Sequence, residues 1–202
     1  MIYKEILKTI ESLDLTTISI ERKALLQPLI DFIQEKVNAN KEIRLNFICT
    51  HNSRRSHLSQ VWAQIMAAKK DINIVSYSGG TEATALFIEA KNALERDGFR
   101  VQKLSESENP VYAIKYAENE LPIIGFSKTY DDAFNPKSEF AAILTCSNAD
   151  KGCPFIAGAE KRIPITYEDP KVFDNTPIQQ QMYSERSLQI AKEMSYVFNQ
   201  IN

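Results

Sequence analysis

Hydrophobic positions change period several times along the chain, and the changes mark its elements. Residues 1–40 carry apolar side chains at helical spacing in two stretches, the second beginning near Ser19 with Leu25, Leu26, Leu29, Ile30, Ile33 and Val37. Pro28 lies inside that stretch and is expected to kink it. After Asn38-Ala39-Asn40, the run Ile43-Arg44-Leu45-Asn46-Phe47-Ile48 alternates and then ends apolar, which predicts a strand. Leu58, Val61, Trp62, Ile65 and Met66 predict a helix over 54–69. A second strand is predicted over 72–77, ended by Gly79-Gly80, and a further helix near 82–97, stopped by Gly98.

In the second half, residues 111–116 and 123–126 flank Glu118-Asn119-Glu120 and predict a hairpin inserted near the sheet. Residues 140–145 are the most strand-like run there; Ile163-Pro164-Ile165 is shorter and placed at a sheet edge by its proline. A last helix is predicted from about 176 to 199. The β-α-β-α alternation argues an α/β fold with a parallel sheet. A chain of 202 residues with 44% hydrophobic content can bury one such core and falls short of two. The expected organisation is a helical extension over 1–40 and one domain over 41–202, interrupted by an insertion at about 108–136.

Net charge is −2, so no basic surface announces a nucleic acid or anionic membrane as partner, and any anion site must be local. No stretch approaches the roughly 20 apolar residues a membrane span needs. The start Met1-Ile2-Tyr3-Lys4-Glu5 lacks the charged-then-apolar order of a signal peptide, and a cytoplasmic location is the expectation. Three cysteines are too few and too odd for a disulfide framework, so their placement carries the interest.

Cys49-Thr50-His51-Asn52-Ser53-Arg54-Arg55-Ser56 puts a cysteine at the carboxyl end of a strand and an arginine six residues on, where a helix starts. Inward main-chain N–H groups of Thr50, His51, Asn52, Ser53, Arg54, Arg55 and Ser56, with the helix N-terminus, can cradle the oxygens of a tetrahedral anion. The same field favours a thiolate nucleophile at Cys49. Arg55 can offer a planar two-pronged donor that stabilises charge growing in the transition state, and Ser56 is placed to hydrogen-bond the sulfur.

Cys146 ends the strand at 140–145, and Cys153 follows after Ser147-Asn148-Ala149-Asp150-Lys151-Gly152, read as a polar loop able to rearrange. Ligand sites in parallel sheets lie at the carboxyl ends of strands, where both Cys49 and Cys146 fall, so thiol contact between them is geometrically plausible. A cysteine phosphatase needs one thiol and an acid; two-electron reduction of an oxyanion needs a second thiol, and a third can resolve the disulfide. Cys146 and Cys153 miss the usual zinc-ligand spacing, and only His51 and His57 could complete such a site, so no metal or other cofactor is expected. Asp169, fixed beside Pro170, could protonate a departing oxygen as general acid. His51 and His57 are expected to be partly exposed residues without a catalytic role, and the tyrosines, Tyr167 and Tyr183 among them, to be packing residues.

Taken together, residues 43–202 resemble the thioredoxin-coupled arsenate reductases, which share a fold and nucleophile loop with low-molecular-weight protein tyrosine phosphatases. The family loop Cys-Thr-Gly-Asn-Ser-Cys-Arg-Ser is similar to residues 49–56, its Cys-x6-Cys-Pro segment to Cys146 through Cys153-Pro154, and its acid precedes a proline as Asp169 does. The resemblance implies a four-stranded parallel sheet flanked by helices and reduction of arsenate to arsenite. It implies that Cys49 attacks arsenic, Cys146 displaces arsenite by forming a disulfide with Cys49, Cys153 captures Cys146, and thioredoxin reduces the product. Hydrolysis of phosphotyrosine or a small phosphate ester by Cys49, Arg55 and Asp169 is the alternative reading, and a non-catalytic arsenic- or redox-responsive protein is a third. His51 departs from a family glycine, where a side chain crowds the loop or demands an uncommon backbone conformation, and Gln60 replaces a potassium-binding glutamate of some relatives. The segments 1–40 and 108–136 have no counterpart in the compact relatives; either could gate the site or form a homodimer contact.

Overall fold

A computed structural model describes residues 1–152 and 155–202. Two helices open the chain, α1 (Lys4–Glu11) and α2 (Ile20–Asn38). The Ser19 side chain caps α2 by accepting from the Arg22 N–H, and the helix runs on through Pro28. Ile6 and Ile10 of α1, and Leu26, Leu29 and Ile33 of α2, are buried in the same core as the sheet.

The sheet forms from β1 (Ile43–Cys49), β2 (Ile74–Gly80), β6 (Phe140–Leu144) and β7 (Ala159–Pro164), all parallel, in the order β2-β1-β6-β7. Its two central strands are buried almost throughout, which explains their apolar runs. Helix α3 (Arg55–Lys69) joins β1 to β2 and packs against the last helix, α6 (Gln179–Asn199). Between them Trp62 meets Phe99 edge-on at 5.1 Å and donates to Ser187 Oγ at 2.9 Å. From β2 the chain continues through α4 (Ile88–Arg96) and the separate antiparallel sheet β3 (Arg100–Lys103), β4 (Tyr112–Lys115) and β5 (Ile123–Gly125) before it returns to β6. The predicted hairpin is thus β4–β5, and β3 extends it.

Several expectations shift. Gly79-Gly80 continue β2 rather than end it, and residues 82–87 are not helical, because the Phe87 N–H is spent on the Ser53 carbonyl at 3.0 Å. Strand β7 starts four residues earlier than its apolar core suggests and does lie at an edge. The polar run after Cys146 is a short helix, α5 (Ser147–Gly152), not a loop.

The other edge, β2, is covered at several points. Gln64 accepts from Ser76 N–H at 2.9 Å and donates to the Ile74 carbonyl at 3.1 Å, and Gln60 donates to the Ser76 carbonyl at 3.1 Å. Further along, Asn135 donates to the Ser78 carbonyl at 3.0 Å, and Gly80 exchanges main-chain bonds with Lys128 and Tyr130 at 2.9 and 2.8 Å. Chain order reverses between β1 and β6, one neighbour of β1 coming from each direction, so the carboxyl ends of these two strands form the switch point where a parallel sheet opens a crevice. Cys49 and Cys146 stand there.

Candidate functional site

The loop from Cys49 to the first turn of α3 turns at Asn52, whose φ of 44° is the left-handed conformation that asparagine accepts more readily than most side chains. The uncommon backbone conformation expected at His51 therefore falls one residue on. Gly80 explains the tight seating of this turn: a Cβ there would stand 2.7 Å from both Asn52 N and the Thr50 carbonyl oxygen, and 2.3 Å from the Glu82 carbonyl oxygen. Only glycine lets the backbones approach so closely.

A directed chain of hydrogen bonds supports the nucleophile. The Asn52 carbonyl accepts from His57 Nε2 at 2.9 Å, and His57 Nδ1, then unprotonated, accepts from Ser78 Oγ at 3.2 Å. Asn52 Nδ2 donates to Ser56 Oγ at 2.9 Å, which leaves the Ser56 hydroxyl proton for Cys49 Sγ at 3.1 Å. Asn52 Oδ1 accepts the Lys128 main-chain N–H at 2.9 Å. His57 is fully buried rather than partly exposed, and burial together with the nearby Lys128 ammonium pushes its pKa down to about 3. It stays neutral at any ordinary pH, and its two hydrogen bonds are compatible with that. Lys128, itself buried, has its pKa pushed down to about 8 by desolvation; its Nζ lies 4.3 and 5.2 Å from the Phe126 and Phe134 ring centres and donates to the Phe126 carbonyl at 3.3 Å.

The two arginines of the loop part company. Arg54 turns toward α6, donating from Nε to the Tyr183 hydroxyl at 2.6 Å and from Nη2 to Asp174 at 2.8 Å, with its plane 4.1 Å from the Phe87 ring centre. Its side chain anchors the loop, and Tyr183, expected only to pack, donates its hydroxyl hydrogen bond to Asp174 at 2.7 Å. Arg55 donates from Nη1 to the Tyr167 carbonyl at 2.9 Å and from Nη2 to Asp169 Oδ2 at 2.5 Å. Its Nε is buried without a hydrogen-bond partner among the described residues. A buried guanidinium N–H left open at the start of α3 is a donor an oxyanion would fill. Asp169 also caps the turn at Pro170–Phe173 by accepting from the Lys171 N–H at 3.1 Å, which fixes its backbone.

Cys146 is buried. Thr50 Oγ1 lies 3.4 Å from its sulfur, which also accepts the Ala149 N–H at 3.3 Å. Cys49 and Cys146 belong to one buried apolar cluster with Ile48, Leu144 and Ile156. A cleft of about 240 Å³ is lined by Arg55, Cys146, Ser147, Asn148 and residues Thr166–Asp169. Cys49, Arg55, Cys146 and Asp169 are thus brought together; Cys153 lies outside the described residues. His51 stands at the loop's outer side, 3.3 Å from Glu82. A larger groove of about 680 Å³ between β2 and β5, lined by Tyr77, Tyr116 and Leu121, touches none of the candidate residues. No cluster of potential metal ligands occurs among the described residues, and no helix among them is long and apolar enough to cross a membrane.

No family model matches the chain, and no curated protein matches its sequence. Solved structures do match its fold. A low-molecular-weight phosphotyrosine phosphatase from Vibrio cholerae O395 superposes with a TM-score of 0.53 at 14% identity, over 77% of this chain and 93% of that one. A low-molecular-weight protein tyrosine phosphatase from Bacillus subtilis gives 0.54 at 13% identity, over 78% and 96%. An arsenate reductase in its oxidised state gives 0.50 at 16% identity, over 79% and 98%. The protein has the fold these phosphatases and this reductase share, a four-stranded parallel sheet flanked by helices.

Proposed function

We propose that the protein reduces arsenate to arsenite through Cys49, with Cys146 and Cys153 as the resolving thiols. The observation that carries this reading is the burial of the Cys146 thiol against Thr50 of the nucleophile loop, in a cleft it shares with Arg55 and Asp169. Phosphoester hydrolysis does not need a second thiol at that place.

In the first step the Cys49 thiolate attacks arsenic(V), its charge balanced by the loop amides and Arg55, while Asp169 gives a proton to the oxygen that leaves as water. Cys146 then attacks the Cys49 sulfur. The sulfur–arsenic electron pair goes to arsenic, arsenite departs, and a Cys49–Cys146 disulfide holds the two oxidising equivalents. Cys153 attacks Cys146, freeing Cys49, and a dithiol protein of the thioredoxin kind, found in a reducing cytoplasm, reduces the Cys146–Cys153 disulfide.

Phosphomonoester hydrolysis is the second reading, favoured by the completeness of Cys49, Arg55 and Asp169 without further thiols. One pair of variants separates the two. With thioredoxin, its reductase and NADPH, Cys146→Ser and Cys153→Ser should each abolish arsenate-dependent NADPH oxidation while leaving p-nitrophenyl phosphate hydrolysis in place. Arsenate-dependent oxidation that survives both replacements would sink the three-thiol scheme.

A further inference from the structure

The segment that carries Asp169 is gripped from two sides, and the second grip comes from the amino-terminal helices. Arg22 stands in the first turn of α2, with a side chain only 18% exposed. Its Nη1 donates to the Thr166 carbonyl at 3.0 Å. Its guanidinium carbon lies 4.8 Å from the centre of the Tyr167 ring. Its Nε and Nη2 form a two-pronged pair with Glu193 of α6 at 2.9 and 2.7 Å, and that carboxylate is nearly inaccessible, at 3%. The Glu193 pair holds the guanidinium plane, and the plane in turn fixes where Thr166 and Tyr167 lie.

The next residues complete the link. Tyr167 N–H is bound to the Thr145 carbonyl at 3.1 Å, at the carboxyl end of β6. The Tyr167 carbonyl and the Asp169 carboxylate then take the two ends of the Arg55 fork. Arg22 behind and Arg55 in front hold four consecutive residues between them. Burial of the Tyr167 hydroxyl beside Glu193 pushes its pKa well up, so the ring stays neutral and remains a good face for the Arg22 cation.

We propose that Arg22 is a positioning residue for the acid: the amino-terminal extension sets the place from which Asp169 delivers its proton. This rests on the reading of Asp169 as the general acid and assigns the extension a part in that step. A residue that merely stabilises the fold lowers turnover of every substrate alike; one that positions an acid matters most where the departing oxygen is a poor leaving group.

The test compares Arg22→Gln, Arg22→Lys and Asp169→Asn with the wild-type protein on a series of aryl phosphates, from p-nitrophenyl to phenyl, alongside hydrogen exchange by mass spectrometry. Arg22→Gln should keep kcat for p-nitrophenyl phosphate within about twofold. It should lose on the order of tenfold for phenyl phosphate, a fraction of the 10²–10⁴-fold an acid contributes. Arg22→Lys, which can reach the carbonyl but not form the fork, should recover part of that loss. Exchange should quicken over 165–171 and stay unchanged over β1 and α3. An active wild type whose Arg22→Gln variant loses rate equally on all leaving groups, or shows no faster exchange at 165–171, would overturn the role of Arg22 and leave the acid in place. A wild type that turns over neither aryl phosphates nor arsenate, or an Asp169→Asn variant as fast as wild type on phenyl phosphate, would overturn the reading of Asp169 and this proposal with it.

Discussion

Replacing Gly80 by alanine should disable the site from outside it. Real Cβ contacts begin near 3.0 Å, so the Glu82 carbonyl oxygen would have to retreat by at least 0.7 Å (3.0 − 2.3), and Asn52 N and the Thr50 carbonyl oxygen by 0.3 Å each (3.0 − 2.7). All three neighbours are backbone atoms, so no side chain can swing aside to absorb the methyl. Overpacking of this kind costs about 1–3 kcal/mol. The displaced atoms belong to the turn that holds the Cys49 loop in register with Arg55, and a misplacement approaching 1 Å can cost about 100-fold in rate. Gly80→Ala should therefore unfold in urea at a modestly lower midpoint with an unchanged slope, while kcat for p-nitrophenyl phosphate or arsenate falls by one to two orders of magnitude. A variant with wild-type kcat would show that the close approach of β2 to the loop is not what sets the loop's geometry.

Asp169→Asn keeps an oxygen for the Lys171 N–H but sets an amide nitrogen where Oδ2 meets Arg55, so a urea titration should show a modest loss of stability; it should lose about 10²–10⁴-fold in kcat on substrates with poor leaving groups and still label at Cys49 with iodoacetate. His57 is held neutral in the fold with its pKa near 3 against about 6.5 in the unfolded chain, so as pH falls below 6.5 the unfolded state takes up a proton the folded state refuses, and stability drops. Between pH 7 and pH 5 that loss is about 2 kcal/mol, and urea titrations of wild type and His57→Gln should differ in their pH dependence by that amount. The comparison with the variant is needed because Asp97, its pKa pushed up to about 6 by burial, works the other way: it gains stability as pH falls through 6. A pH-independent difference would refute a buried neutral His57. Gly152 closes α5, with open space where a Cβ would go, so Gly152→Ala should stiffen that helix by about 1 kcal/mol. If thiol transfer from Cys146 to Cys153 requires α5 to open, arsenate turnover should slow about fivefold with phosphate ester hydrolysis unaffected; equal effects on both would refute it.

The strand–loop–helix unit at Cys49 was legible because its signals are local: an apolar strand, a polar octapeptide and a helix with a strong apolar face. Cys146 was legible for the same reason, as the end of an apolar run. What was missed depends on contacts between distant segments. Strand β2 runs two glycines further than its apolar core because residues 128–130 lie against those glycines. Strand β3 is largely exposed and shows no alternation. Ser147–Gly152 carries small polar residues that favour turns in isolation, yet the Ala149 N–H finds the Cys146 sulfur and a helical turn follows. His57 reads as a polar helix residue until the fold sets the Asn52 carbonyl and Ser78 at its two nitrogens. Arg54 and Arg55 are adjacent and alike in sequence; only the placement of Asp174 and Tyr183 turns one toward α6.

The largely occupied outer edge of β2 limits how copies of this chain can meet there. An open parallel strand invites a neighbour to continue the ladder, but here most of the groups that would do so already belong to Gln60, Gln64, Asn135 and the segment at 128–130. At the opposite edge, the last residue of β7 is Pro164, which has no N–H to offer. Two molecules therefore gain little by zipping their sheets together at β2, and a contact there has to draw on side chains, where single surface substitutions can strengthen or abolish it without touching the nucleophile loop.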